Sequence, residues 1–260
     1  MKPITSESNA RFRQWLKLAT QPRAVRQAGQ TLAEGLHLAH AALDAGVQPE
    51  AVLVRHSSQP HVLQPILART SATVYELSAA LYDALAPVEH GVGLMLVLPV
   101  SAAELPQRAD ADWVYLDGVQ DPGNAGALLR VAAAAGITHV CASAATTALW
   151  GPKVLRGAQG AHFALRIIEQ VNIEALRSVH ALTWIATAAH QAQSLWHAPL
   201  PATPVGWLLG SEGQGLSPEA EALAALRVTV PTTTAVESLN VATSAAVCLF
   251  ERRRRVDAAS

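Results

Sequence analysis

The stretch from Val228 to Glu251, VTVPTTTAVESLNVATSAAVCLFE, constrains the fold more than any other. Val228-Thr229-Val230 is a β-branched run that suits a buried strand. Pro231 ends that strand, and small residues carry the chain through a loop. Glu237-Ser238-Leu239-Asn240 then opens a helix, with Ser238 predicted to cap its free N–H groups. Val241, Ala245, Cys248 and Leu249 follow at helical spacing. Glu251 and four arginines end the helix, where positive charge suits a helix C-terminus. Two earlier stretches, LDGVQDPGNAGALLRVAAAAG and WLLGSEGQGLS, have the same grammar of strand, polar elbow and helix. Three such elbows on one sheet predict one composite site at the strand ends.

Bulk properties narrow the classes. Half of the 260 residues are apolar, and the net charge is −1. That balance argues against a protein that coats nucleic acid through charge alone. The distribution is less even. Residues 1–28 carry Lys2, Arg11, Arg13, Lys17, Arg23 and Arg26 against Glu7 alone. Residues 29–110 carry Arg55, Arg69 and Arg108 against eight carboxylates. Arg252 to Arg255 add a second basic segment. Basic segments on a neutral body fit a structured polyanion partner; a solvated tail and an ordinary helix end explain them as well. Cys141 and Cys248 are far apart in apolar company, and no C-x-x-C is present. No metal site or redox pair is therefore expected. MKPITSESNARFRQW lacks the apolar core of a signal peptide. Residues 178–211 lack charge but are broken by Gln, His, Ser and Pro, so no membrane span is expected. A reduced, cytoplasmic protein is the expectation.

Periodicity and turn signals predict a small α/β unit over residues 1–100 and a second α/β domain over 110–260. The first has a basic helix at 8–18, a polar loop over the next ten residues, and strands at 32–34, 51–55, 72–77 and 94–98. Its helices are predicted at 35–45, 59–69 and 78–85, the last capped by Ser78. A proline-containing segment near 99–111 marks the boundary. The second domain has predicted strands at 113–117, 138–142, 163–168, 182–187, 205–209 and 227–230. Helices are predicted at 124–135, 152–158, 172–179, 218–225 and 238–253. Strand–helix alternation at this spacing implies a parallel sheet covered on both faces.

Each elbow alone carries little. Asp121-Pro122-Gly123 makes a turn, and Asn124 is predicted to cap the helix after it. Arg130 lies inside that helix among Leu128, Leu129, Val131 and alanines; a snorkelling surface arginine fits equally well. Gly210-Ser211-Glu212-Gly213-Gln214-Gly215 follows an apolar strand, and its glycines let backbone approach a ligand closely. It is neither a dinucleotide fingerprint nor a P-loop. Ser238 and Asn240 stand at a helix start, where capping is the simple reading.

Together the three resemble the signature motifs of the SpoU (TrmH) family of RNA ribose 2′-O-methyltransferases, in the SPOUT superfamily. They match as DPGNAGALLR, GSEGQGL and VP…VESLNV. Residues 30–100 resemble, more loosely, the ribosomal-protein-like α/β domain that binds RNA ahead of this catalytic domain. The resemblance implies a parallel sheet with a deep trefoil knot. It implies S-adenosylmethionine held by Leu209, Gly210, Val230, Pro231, Thr232, Leu239 and Asn240. It implies a homodimer with the last helix in the interface, a role that the Ala/Leu face of 241–250 suits. Packing within one subunit would use the same face. Arg130, Asn124, Glu212, Ser238 and Asn240 are the implied catalytic group.

Because a guanidinium stays protonated, Arg130 is expected to act as a cation. It would grip the phosphate beside the target ribose and lower the effective pKa of the hydroxyl. The third motif departs from the family in having Thr232 and Thr234 where Met and Gly are frequent, so a left-handed backbone at Thr234 would be strained. Residues 19–30 also carry fewer cations than an RNA arm would. RNA contact is expected on the basic 1–28 segment and one edge of the first domain. Ribosomal RNA is the leading substrate, with transfer RNA second; a non-catalytic RNA-binding or assembly factor is the alternative class.

Overall fold

A computed structural model describes residues 1–58, 60–86, 91–100, 102–188, 191–233 and 238–259. The chain forms two compact units. One holds Met1–Ala102 with Ala148–Phe163, the other Ala103–Thr147 with Ala164–Ser260.

The first unit is built from β1 (Lys2–Ile4), α1 (Ala10–Thr20), α2 (Pro22–Ala28), β2 (Gln30–Glu34), α3 (Leu36–Asp44), β3 (Ala51–Arg55), α4 (Pro60–Leu67), β4 (Thr73–Leu77), α5 (Ala79–Leu85) and β5 (Leu94–Pro99). Its five strands form one mixed sheet in the order β1-β4-β3-β5-β2. β1, β4 and β3 are parallel, and β5 runs antiparallel to both β3 and β2. Alternation along the strands sorts the core onto two faces. Ala51, Leu53, Met95 and Val97 meet Phe12, Trp15, Leu18, Val25 and Leu81 on one side. Val52, Val54, Leu94, Leu96 and Leu98 meet Leu38, Ala42, Leu63 and Ile66 on the other.

Several expectations change here. The loop predicted after the basic helix is the helix α2. Pro22 occupies its first turn, Gly29 ends it at φ +60°, and Val25 is fully buried. Start and stop signals plus one apolar anchor outweigh a polar composition. The basic segment is therefore a packed pair of helices. Asn9 caps α1 by accepting from Arg11 N at 2.9 Å and Phe12 N at 3.3 Å. β1 was not expected from the sequence; Ile4 buries itself against the core to hold it. Ser78 stands at the cap position of α5, but its side chain makes no capping bond, and only its carbonyl accepts from Tyr82 N.

The second unit contains β6 (Trp113–Asp117), α6 (Pro122–Ala135) and β7 (His139–Ala142). α7 (Pro152–Ala158) then packs on β2 of the first unit. A 3-10 turn (Ala161–Ala164), β8 (Arg166–Ile168), α8 (Ile173–Arg177), β9 (Thr183–Thr187), β10 (Gln193–Ser194), β11 (Val205–Gly210), α9 (Pro218–Leu223), β12 (Leu226–Thr229) and α10 (Val241–Ala259) complete the chain. Seven strands form a sheet in the order β10-β12-β9-β11-β6-β7-β8, and every pairing is parallel. β10 was missed because two residues show no period. β8 is shorter than predicted because the preceding residues form the 3-10 turn.

Gly206 on β11 is required by packing: a Cβ there would lie 2.3 Å from the Trp184 ring. α10 starts three residues later than predicted and runs well past residue 253. Its arginines are only partly a solvated end: Arg253 and Arg254 are exposed, whereas Arg252 and Arg255 are held. Arg252 is 6% exposed, binds Asp112 Oδ2 through Nε at 2.9 Å, and donates to the Pro201 and Thr203 carbonyls. Arg254 and Arg255 both bind Glu251, one helical turn earlier, a spacing that supports helix continuation. Ala242, Ala245, Cys248 and Leu249 are buried inside the chain, and α10 packs on α6 and β11. The Ala/Leu face is thus consumed within one subunit. Among the described residues no helix is long and apolar enough to cross a membrane.

His162 gives the first unit a pH-dependent stability. Its Nε2 donates to the Leu149 carbonyl at 2.7 Å, and Nδ1 is buried without a partner. Burial pushes its pKa down to about 4. The unfolded chain binds a proton near the ordinary value of about 6.5, so protonation favours unfolding. The contribution is complete above about pH 6.5 and is lost as the pH falls toward 4, which costs about 2 kcal/mol by pH 5. Urea midpoints at pH 7 and pH 5 should differ less in His162→Gln than in the wild type. An equal drop in both would contradict this assignment.

Candidate active site

The chain runs from β6 outward through β7 to β8, and its later strands fill the other side of the sheet. The strand order therefore reverses between β6 and β11, the position at which open parallel sheets bind ligands beyond their carboxyl ends. Those two strands are paired with Asp117 opposite Gly210. The first and second elbows leave the sheet side by side at this point. β12 ends at the same edge of the sheet, separated from β11 by β9, and delivers the third elbow.

Each elbow has its own internal fixing. In the first, Gly118 turns at φ +70° and donates to Ser143 Oγ at 3.0 Å and Thr146 Oγ1 at 3.1 Å. Asp121, not Asn124, caps α6: its Oδ1 accepts from Asn124 N at 2.7 Å. The capping signal was read three residues late, because Asp and Asn are equally good caps and Pro122 marks the true first turn. In the second elbow Ser211 and Gly215 exchange both backbone bonds, at 3.0 and 2.9 Å. Asp117, 9% exposed, accepts from Ser217 N at 2.8 Å and so ties the loop's exit to β6. Sequence reasoning missed this residue. Its signal was a carboxylate ending the otherwise apolar strand WVYLD.

In the third elbow the helix cap is Asn240, not Ser238. Asn240 Oδ1 accepts from Ala242 N at 2.9 Å and Thr243 N at 3.3 Å. Ser238 lies exposed two residues ahead, outside the first turn of α10. Glu237 and Thr234 fall outside the described residues, so the predicted strain at Thr234 does too.

Three of the predicted residues meet in a ring of hydrogen bonds. Asn124 Nδ2 donates to Glu212 Oε1 at 2.7 Å, and Asn240 Nδ2 donates to the same oxygen at 2.7 Å. Asn240 Nδ2 also donates to Asn124 Oδ1 at 2.9 Å. The cap fixes which way the Asn240 amide points, because its oxygen is committed to backbone N–H groups. One residue from each elbow thus closes the ring across 28 to 116 positions of sequence. The ring faces solvent, where hydrogen bonds exchange with water and add little stability. Arg130 is exposed on α6, six residues beyond Asn124, with no ion pair or hydrogen bond among the described residues. At about 1.5 Å rise per residue it stands about 9 Å further along the helix.

Leu209 is fully buried at the end of β11, and Gly210 is half-buried. Val230 and Leu239 are half-buried, and Pro231 and Thr232 are exposed. Among the described residues no backbone hydrogen bond uses residues 230–233. Cys141 and Cys248 are buried, and burial pushes both thiols up to about 12, so neither is a nucleophile.

A seven-stranded parallel sheet with three polar elbows gathered at its carboxyl edge defines an α/β ligand-binding domain with its site at a topological switch point. The chain belongs to the SpoU rRNA Methylase family, whose model matches residues 113–250, and residues 9–95 match the MRM3-like substrate binding domain. It is 32% identical to an uncharacterized tRNA/rRNA methyltransferase of Synechocystis, over 99% of this chain and 95% of that protein. It is 28% identical to the Bacillus subtilis 23S rRNA (guanosine(2553)-2′-O)-methyltransferase RlmP, over 97% of this chain and all of that one. The fold is that of the SpoU methyltransferase AviRb from Streptomyces viridochromogenes, solved with AdoMet (TM-score 0.82, 24% identity, 96% of this chain and 100% of that one).

Proposed function

We propose that this protein transfers a methyl group from S-adenosylmethionine to a ribose 2′-hydroxyl of ribosomal RNA. The observation that carries the reading is the ring formed by Asn124, Glu212 and Asn240. It draws one residue from each motif into one place and adds little to stability. The relatives named for ribosomal RNA methylation and the neighbour solved with AdoMet support the same reading. The bound cofactor would supply an electrophilic methyl on a sulfonium whose sulfur leaves neutral, so no acid is needed for the leaving group. Leu209, Gly210, Val230, Pro231, Thr232, Leu239 and Asn240 would hold it.

The harder task falls to this chain, because an alcohol proton is weakly acidic at neutral pH. Orientation of oxygen, methyl and sulfur can supply about 7–11 kcal/mol. Arg130, a permanent cation, would bind the phosphate beside the target ribose and stabilise negative charge developing on the oxygen. Glu212, with one oxygen committed to two amides, keeps its other oxygen for the substrate or for Arg130. Ser238 would complete the polar wall. In this reading the chain knots between β11 and α10 and works in the cytoplasm as a homodimer. The subunits would meet through the outward stripe of α10 that carries Thr243, Val247 and Phe250.

Mapping 2′-O-methylation across all stable RNAs, with and without the gene, tests the reading. One ribosomal RNA position should lose its methyl group. An unchanged map, together with no calorimetric heat on adding S-adenosylmethionine, would leave a non-catalytic RNA-binding factor.

A further inference from the structure

The cations of this chain fall into two populations. Most arginines beyond residue 50 are committed: Arg55 to Asp83, Arg69 to Asp44, Arg177 to Glu174, Arg227 to Glu221 and Arg252 to Asp112. At the start of the chain the pattern inverts. Lys2, Arg11, Arg13, Lys17 and Arg23 are all exposed, and none has an ion pair among the described residues.

The helices that carry these charges are held in place. Phe12, Trp15 and Leu18 bury the inner face of α1, and Val25 anchors α2. Arg13 and Lys17 therefore project from the opposite face, one helical turn apart, about 6 Å along the axis. Two cations at this spacing repel each other. Nearby, Gln14 donates to Gln30 at 2.8 Å, and Gln30 donates to the Glu50 carboxylate. Beside Lys17, Gln14, Leu18, Ala24 and Gln27 line an open hollow of about 220 Å³ between α1 and α2. At the other end of α1, Arg11 lies 5.2 Å over the Tyr75 ring. Lys2 stands opposite Tyr75 in the strand register.

We propose that the outward face of α1, centred on Arg13 and Lys17 and flanked by Lys2, Arg11 and Arg23, is a docking surface for the phosphate backbone of folded RNA. Unpaired cations on a helix fixed by a packed core read backbone geometry rather than base sequence, as recognition of helical RNA requires. The proposal rests on the ribosomal RNA reading above. Point variants are used because deletion of residues 1–28 would remove Phe12, Trp15, Leu18 and Val25 from the core.

Binding of transcribed 23S ribosomal RNA should be measured between 50 and 200 mM salt. The proteins compared are wild type, Arg13→Gln/Lys17→Gln, and Arg69→Gln/Arg177→Gln as a control in which paired cations are removed. Each lost phosphate contact lowers the slope of log K against log salt by about 0.7–0.9, so the first variant should lose about 1.4–1.8 from its slope. Across this fourfold salt range its affinity should then fall about tenfold less than that of the wild type. The affinity for S-adenosylmethionine and the melting temperature should not change, and the control should keep the wild-type slope. A wild-type slope in the first variant would overturn the proposal, leaving the methyltransferase reading intact. Failure of the wild type itself to bind the transcript would overturn both.

Discussion

Replacing Arg130 with alanine should cost most of the methyl transfer while leaving the fold and cofactor binding intact. Arg130 is exposed and makes no ion pair or hydrogen bond among the described residues, so its removal should shift stability by less than about 0.5 kcal/mol. The assigned role is electrostatic: a fixed positive charge where an oxygen becomes negative. Loss of one such group typically lowers kcat about 10²–10³-fold. The Kd for S-adenosylmethionine, read by calorimetry, should stay at the wild-type value. Arg130→Lys keeps the charge but loses the planar fork that fits a phosphate, so it should fall between the wild type and the alanine variant. Near-normal turnover in Arg130→Ala would reject the role and return Arg130 to an ordinary surface residue.

Gly210→Ala should be the most damaging single-methyl change in the site. A Cβ at Gly210 would lie 2.2 Å from the Gly215 carbonyl carbon, 2.4 Å from its oxygen and 2.5 Å from Leu216 N. All three atoms are backbone, so no side chain can rotate aside. They also belong to the loop that Ser211 and Gly215 close with two hydrogen bonds. The elbow must open, which carries Glu212 away from Asn124 and Asn240. Overpacking of this kind costs about 1–3 kcal/mol, and each kcal/mol lowers Tm by about 2–4 °C in a chain of this size. Activity should fall further than stability, because the displaced residues are those of the site. Gly213→Ala is the matched control. Nothing lies within 4 Å of a Cβ there, and both Tm and turnover should stay near wild type. Equal behaviour of the two variants would show that closure of this loop does not matter.

The sequence announced the architecture of the second unit because its signals are local. Apolar strands such as WVYLD and VGWLLG are short runs bounded by polar turns, and the helices between them have clear starts. The three elbows were legible for the same reason. Where local signals compete, the reading slipped by a few residues. Asp121 and Asn124 both cap well, as do Ser238 and Asn240; the fold chooses between them by where the first turn closes. Here a polar side chain freed from capping is what the ring uses: Asn124 turns its amide to Glu212 because Asp121 caps α6. The fate of the arginines at the end of α10 was not legible, since Asp112 lies 140 residues from Arg252 and no periodicity reports on such pairs. α2 was hidden by its polar composition, and β1 and β10 are too short to show alternation. The segment Ala148–Phe163 joins the first unit although it lies between strands of the second; this is a matter of topology, which strand and helix propensities do not encode.

The central claim is that the gathered elbows methylate a sugar oxygen, and radiolabelled methyl transfer tests it most directly. The protein is incubated with methyl-labelled S-adenosylmethionine and 23S ribosomal RNA, and the product is hydrolysed in alkali. A 2′-O-methyl group removes the internal nucleophile that alkali needs, so the label should emerge in an alkali-resistant dinucleotide, at a rate about 10²–10³-fold lower with Arg130→Ala. Label recovered in single nucleotides with a methylated base, or no incorporation by the wild-type protein, would contradict the account.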